Sequence, residues 1–239
     1  MTSRPDDERR RAEMVTALGA VRARIAEACA AADRDPREVT LVAVTKNFPA
    51  SDVATLADLG VLDIGENKDQ EARAKVAELD AHPEIRWHMV GRLQTNKARS
   101  VASYAHAVHT VDRVKVANAL AAAARERPDP LDVFVQVSMD ADPNRGGMPI
   151  EGVPELAATI ADCPELRLVG VMTVLPIGTD PDAGFALLAE ISASLRAEHP
   201  GATAISAGMS GDLEAAVKHG STHIRVGTAL LGQRSQVLG

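Results

Sequence analysis

The chain is poor in aromatic side chains, with one Trp, one Tyr and three Phe among 239 residues. Its core must be assembled from Ala, Val, Leu and Ile, and the 46% apolar content is enough to build a sizeable one. There are only two cysteines, Cys29 and Cys163, and no CxxC or zinc spacing. The simplest reading is two unpaired thiols in a reducing cytoplasm. No run of about 18 apolar residues occurs, so no membrane span is expected. The opening MTSRPDDERRRAEM lacks the apolar stretch of a signal peptide. Basic residues are also short, 26 Lys and Arg against 33 Asp and Glu, for a net charge of -7. Nucleic-acid binding rests on neutralising phosphates with Lys and Arg, so such a role is not expected.

No Pro/Gly/Ser-rich linker divides the chain, and the alanine-rich 117–124 is its only low-complexity tract. One domain is expected over residues 13–235, preceded by a charged, flexible segment, 1–12. Met14, Leu18, Val21, Ile25 and Cys29 recur at helical spacing and predict a first helix. Short apolar runs then predict strands at 40–45, 61–64, 85–90, 107–111, 132–138, 167–172, 203–206 and 222–226. Helical patterns lie between them, at 50–58, 66–80, 94–103, 113–126, 151–161, 181–198 and 211–219. Gly60 and Gly220 sit where helix C-caps belong, and Ser210 where an N-cap belongs. Strands that alternate with helices pair in parallel. Eight such units predict an α/β fold, a single (β/α)8 TIM barrel with an additional N-terminal helix; a doubly wound open sheet is the alternative.

In such a barrel the chemistry sits where strands end. The first strand runs into VAVTKNFP and ends near Lys46. That lysine is either a solvated charge or an amine at the mouth of a pocket. The loops after strands 7 and 8 read SAGMSGD and RVGT, offering Ser210, Gly227 and Thr228 and small residues that let backbone amides approach a phosphate. Closure of the barrel sets strand 1 beside strand 8, and so Lys46 beside this cup. An amine next to a phosphate cup suits a Schiff base with a phosphorylated aldehyde or ketone. Two ligand classes fit at this point, a phosphosugar and pyridoxal 5′-phosphate.

Taken in order, VAVTK, GENKDQEA, WHMVGRLQTNK, HTVDR, SAGMSGDLEAA and HIRVGTALLG resemble the YggS/PROSC family of pyridoxal phosphate homeostasis proteins, over roughly residues 14 to 235. The resemblance implies a barrel similar to the N-terminal domain of alanine racemase, with pyridoxal 5′-phosphate carried as a Schiff base on Lys46. It implies that Ser210, Gly227 and Thr228 hold the phosphate, that Arg225 faces the pyridine nitrogen, and that Asn67 and Met209 lie near the ring. Many relatives carry a lysine in the loop after strand 5; here Arg145 stands there, and an arginine does not form a Schiff base under ordinary conditions.

An arginine opposite the pyridine nitrogen makes a weak electron sink. Racemisation also needs a second base, and Tyr104 is predicted on a helix away from the strand ends. His88 and His109 fall inside strands, where histidines are usually structural. The expected function is therefore a cytoplasmic, monomeric carrier that buffers pyridoxal 5′-phosphate and delivers it to pyridoxal-dependent apo-enzymes, without robust catalysis. An amino-acid racemase-like enzyme is the alternative, and a phosphosugar aldolase a more distant one. His106 and His109, three apart on a strand, point to opposite faces and predict no metal site.

Overall fold

A computed structural model describes residues 4–140, 142 and 146–232. Eight parallel strands close into a barrel in sequence order: β1 (Thr40–Val44), β2 (Asp63–Glu66), β3 (Arg86–Met89), β4 (Ala105–Val111), β5 (Leu131–Gln136), β6 (Leu166–Met172), β7 (Ala204–Ser206) and β8 (His223–Val226). The helices are α1 (Arg4–Ala31), α2 (Ala50–Asp58), α3 (Asp69–Glu78), α4 (Ala98–Ala102), α5 (Val114–Ala124), α6 (Val153–Ala161), α7 (Pro181–Glu198), α8 (Leu213–Lys218) and α9 (Thr228–Leu231). The closed order excludes the open-sheet alternative.

The expected elements are all present, and their boundaries move for local reasons. β2 starts at Asp63 rather than Val61. Val61 is apolar for a different purpose: its N–H bonds the Leu56 carbonyl, while Gly60, at φ 78°, bonds Ala57. This is a Schellman turn, in which the apolar residue after the glycine packs back on the helix end. Gly220 and Ser221 close α8 by the same pair of bonds, to Val217 and Ala216. α8 begins at Leu213, and its N-cap is Asp212 rather than Ser210. The first dozen residues, expected to be flexible, are helical from Arg4 onward. Arg10 fixes this part of α1 by bonding Asp52 on α2 at 2.7 Å and the Leu231 carbonyl on α9 at 3.1 Å.

There are two cores. The larger one lies between sheet and helices, built from side chains such as Ile64, Val108, Val133 and Ile224 with Leu56, Leu120 and Leu156. The predicted stripe of α1, from Met14 to Cys29, is buried in it. The barrel interior is different. Its apolar part is small, formed by Ala107, Phe134 and Met172. Most TIM barrels fill this space with layers of branched aliphatic side chains. Here Asp63, His88, His109, Ser206, His223 and Arg225 take much of it. Phe134 stacks on His109 with ring centroids 4.3 Å apart and meets His223 edge-on at 5.3 Å. His106 is exposed while His109 is wholly buried, as the strand alternation requires. Among the described residues no group of three metal-ligating side chains occurs, and no helix is long and apolar enough to cross a membrane.

Buried neutral imidazoles make folding pH-dependent. Burial, helped by the neighbouring imidazoles and Arg225, brings His223 down to about 4 and holds His109 well below the usual histidine value. Both values are depressed in the folded state, so the unfolded chain binds more protons and stability is lost as pH falls. Urea denaturation across a pH series is expected to show full stability above about pH 6.5 and a loss of about 3 kcal/mol from His223 alone by pH 4. A His223→Gln variant is expected to show a shallower slope over that window.

Candidate functional site

Lys46 lies two residues beyond the end of β1, in a turn. It is exposed rather than lodged in a desolvated mouth. Among the described residues its ammonium has no hydrogen-bond or ion-pair partner. The backbone around it, by contrast, is tightly held. The Thr45 hydroxyl donates to Glu66 Oε1 at 2.6 Å. Lys75 Nζ donates to the Thr45 carbonyl at 2.7 Å and to Glu66 Oε1 at 2.6 Å. The Asn47 N–H donates to Glu71 Oε1, with Asn47 itself in the left-handed region at φ 61°. Asparagine tolerates that conformation better than most residues. The turn is thus clamped from one side by β2 and α3, while the Lys46 side chain projects into solvent.

Lys75 and Glu66 are buried, with side chains 6% and 1% exposed. Burial pushes the Glu66 carboxyl up, against the bonds from Lys75 and Thr45 that favour its charged form. Its second oxygen, Oε2, is buried without a partner among the described residues. Neither Lys75 nor Glu71 was foreseen from the sequence. The only available signal was their i, i+4 spacing in GENKDQEARAK, which on most helices marks a solvated pair.

β1 pairs with β8 in the register Ala43↔Val226, so the Lys46 turn and the loop after β8 leave the barrel side by side. A Cβ on Gly227 would lie 3.2 Å from the Val44 carbonyl oxygen, which measures how closely that loop passes. Gly227 is the N-cap of α9 and Thr228 its first residue. Ser210, in the loop after β7, crosses to this helix: its hydroxyl accepts the Ala229 N–H at 3.3 Å. The Thr228 N–H, in the first turn of α9, has no intrahelical partner. The Ser210 and Gly211 amides bond no protein acceptor among the described residues. Asp212 stiffens the loop by accepting the Met209 N–H at 2.6 Å. Met209 is 39% exposed beside this cup. Lys46, Ser210, Gly227 and Thr228 are therefore brought together on the β1, β7 and β8 ends.

Arg225 lies beneath them, 5% exposed. Nη1 donates to Ser206 Oγ at 2.6 Å and Nη2 to the Thr173 carbonyl at 2.8 Å. Among the described residues it makes no ion pair. Burial brings its pKa down to about 10. Asn67 follows β2 and is half-buried. Its position is fixed by Gly91, where a Cβ would come within 2.1 Å of the Asn67 carbonyl oxygen. Asn67 lines a cleft of about 260 Å3 with Gly91, Thr110, Gln136, Ser138 and Met172. Lys97 is not at the cup; it stands 3.9 Å from Asp69, in a wider depression on the far side of Asn67. Tyr104 is in a turn after α4 with its hydroxyl 3.5 Å from Asp69. Arg145 lies outside the described residues.

Fold and site define a closed parallel barrel with a free amine at the end of β1 and a small-residue cup at the ends of β7 and β8. Residues 17–235 match the family described as alanine racemase, N-terminal domain. The chain is 45% identical over 252 residues to the pyridoxal phosphate homeostasis protein of Mycobacterium tuberculosis, covering 98% of this chain and 96% of that one. Its Escherichia coli counterpart is 35% identical over 222 residues, covering 91% and 95%. Among solved structures, PipY of Synechococcus elongatus with PLP bound superposes with a TM-score of 0.75 at 34% identity, over 87% of this chain and 100% of that one. The chain belongs to the alanine racemase N-terminal-domain family, among the pyridoxal phosphate homeostasis proteins.

Removing one member of a buried ion pair strands the other charge, at about 3–5 kcal/mol. Lys75→Met is expected to destabilise the fold by about that amount in chemical denaturation. The double variant Lys75→Met/Glu66→Leu is expected to recover part of the loss.

Proposed function

We propose that this protein binds pyridoxal 5′-phosphate reversibly, as a Schiff base on Lys46, and serves to buffer and deliver it. The observation that carries the reading is the pairing of an exposed amine with a buried guanidinium across a cup of backbone amides; among the described residues the guanidinium meets no carboxylate and the amides meet no protein acceptor. The group's three polar features have counterparts in this donor set. The aldehyde would meet Lys46, where the amine forms an imine bond and the carbonyl oxygen leaves as water. The phosphate would take the Ser210 and Gly211 amides, the Thr228 amide and the two hydroxyls, as anions do at such turns. The pyridine nitrogen, an acceptor when unprotonated, would take an N–H from Arg225, which has donors to spare. Asn67 and Met209 would flank the ring. Relatives named for pyridoxal phosphate homeostasis, and PipY with PLP bound, support the same reading.

Arg225 also argues for a carrier over an enzyme. A donor-only arginine keeps the ring nitrogen unprotonated and the ring a weak electron sink. Tyr104 faces Asp69, and His88 and His109 are committed inside the barrel, so none of the acid–base candidates weighed from the sequence is placed to serve as a second base. The expected recipients are pyridoxal-dependent apo-enzymes, and an exposed Lys46 makes the bond open to hydrolysis and transfer. The two free thiols agree with a cytoplasmic setting, and a monomer is the state expected from the sequence.

Adding pyridoxal 5′-phosphate to the purified protein is expected to produce a visible Schiff-base absorption, and borohydride should trap the adduct on Lys46. Lys46→Ala should abolish both. No absorption in the wild type, or adducts scattered over surface lysines, would sink the reading. Amino-acid racemisation at a sustained rate by the loaded protein would favour the racemase alternative.

A further inference from the structure

The buried polar side chains of the barrel interior form one continuous line. Arg225 Nη1 lies 2.6 Å from Ser206 Oγ, which lies 2.8 Å from His109 Nδ1. His109 Nε2 lies 2.9 Å from His88 Nδ1, and His88 Nε2 lies 2.9 Å from Asp63 Oδ1. Asp63 in turn accepts two bonds from Arg86, at 2.7 and 2.5 Å. The line starts near the C-terminal end of β8 and crosses the barrel from β7 to β4. It leaves at the N-terminal ends of β2 and β3, whose first residues are Asp63 and Arg86. Its inner members are all buried: Ser206 and His109 fully, His88 at 3% exposure and Asp63 at 7%.

The two ends determine its direction. An arginine can only donate, and an ionised carboxylate can only accept. Burial opposes ionisation of Asp63, but the bonds from His88 and Arg86 outweigh it and hold the carboxyl well below the usual range. An ionised Asp63 can only accept, so His88 gives it the Nε2 hydrogen. With one hydrogen on each ring, His88 Nδ1 then accepts from His109 Nε2, and His109 Nδ1 accepts the Ser206 hydroxyl hydrogen, while Ser206 Oγ accepts from Arg225. Each link then has one donor and one acceptor, and one tautomer of each ring satisfies the line. Buried polar networks of this kind hold side chains in place when every member is satisfied, and lose that property when one is not. Ser206 is the only side chain that bonds the Arg225 guanidinium among the described residues; the other bond runs to a backbone carbonyl.

We propose that Ser206, His109 and His88 are positioning residues for Arg225: a one-way hydrogen-bond line anchored on Asp63 orients the guanidinium toward the ring of the bound cofactor. Its bearing on the cofactor rests on the reading proposed above, whereas the tautomers belong to the protein alone. Cutting the line leaves Arg225 held by Thr173 only and free to turn from the ring nitrogen.

The first measurement needs no cofactor. Nitrogen-15 NMR of the histidine-labelled, cofactor-free protein is expected to show His88 and His109 each carrying a hydrogen on Nε2 and none on Nδ1. A hydrogen on Nδ1 of either ring would overturn the proposal. The second measurement titrates wild type, Ser206→Ala, His109→Leu and His109→Gln with pyridoxal 5′-phosphate. Loss of a bond that orients a charged donor should weaken binding about tenfold and change the Schiff-base absorption in Ser206→Ala and His109→Leu. His109→Gln, whose amide both accepts and donates, should return both readings toward wild type, which a purely packing role would not give. Ser206→Ala loses only a hydroxyl and decides the matter if His109→Leu does not fold. Unchanged affinity and absorption in Ser206→Ala would overturn the proposal. If the wild type forms no Schiff base on Lys46, the cofactor reading fails and carries the positioning role with it. The expected tautomers would then still be seen, which separates that failure from a failure of the line itself.

Discussion

Closure of the sheet between β1 and β8 is the constraint on which the rest of the molecule depends. Four residue pairs, Thr40↔His223 through Ala43↔Val226, join the first strand to the last. Residues almost two hundred positions apart, Lys46 and Thr228, thereby leave the barrel side by side. No local preference brings them together; the twist of eight parallel strands does. α1 reinforces the closure from outside. Its apolar stripe packs over this seam, Arg10 ties α2 to the end of α9, and Arg24 bonds Glu214 on α8 at 2.7 Å. The N-terminal helix is thus a brace for the β1–β8 end of the mouth.

The two lysines near the end of β1 show how burial sorts identical side chains into different roles. Lys75 gives its ammonium hydrogens to a carbonyl and two carboxylates and is a structural cation. Lys46 is exposed, with no partner for its amine among the described residues, and is the lysine that the proposed Schiff base would use. The two roles are complementary, since Lys75 fixes the carbonyl that precedes Lys46.

The barrel interior departs from the aliphatic packing of the outer core. Phe134 serves as its ring, and histidines, a serine and an arginine occupy space that aliphatic layers fill elsewhere. Such a core is costly unless every polar atom is satisfied. The line from Arg225 to Asp63 meets that demand, and it turns filler into a device that holds one guanidinium in place.

Much of this was legible in the chain itself. Alternating apolar runs and helical stripes determine eight βα units, because strand and helix periods are local properties of the residues. Motif order singled out Lys46, Ser210, Gly227 and Thr228 as candidates, and the closed barrel brings these four together. Two boundaries were misread where an apolar residue or a serine serves a neighbouring element: Val61 packs back on α2, and Ser210 caps α9 rather than α8. Tertiary structure alone decided that Lys75 is buried and Lys46 exposed, that Arg225 meets a serine and a carbonyl rather than a carboxylate among the described residues, and that His88, His109 and Ser206 lie in one line. These facts depend on which strands face each other across a closed barrel. Side chains on β4 and β7 meet only through that closure, and no sequence spacing encodes a distance across it.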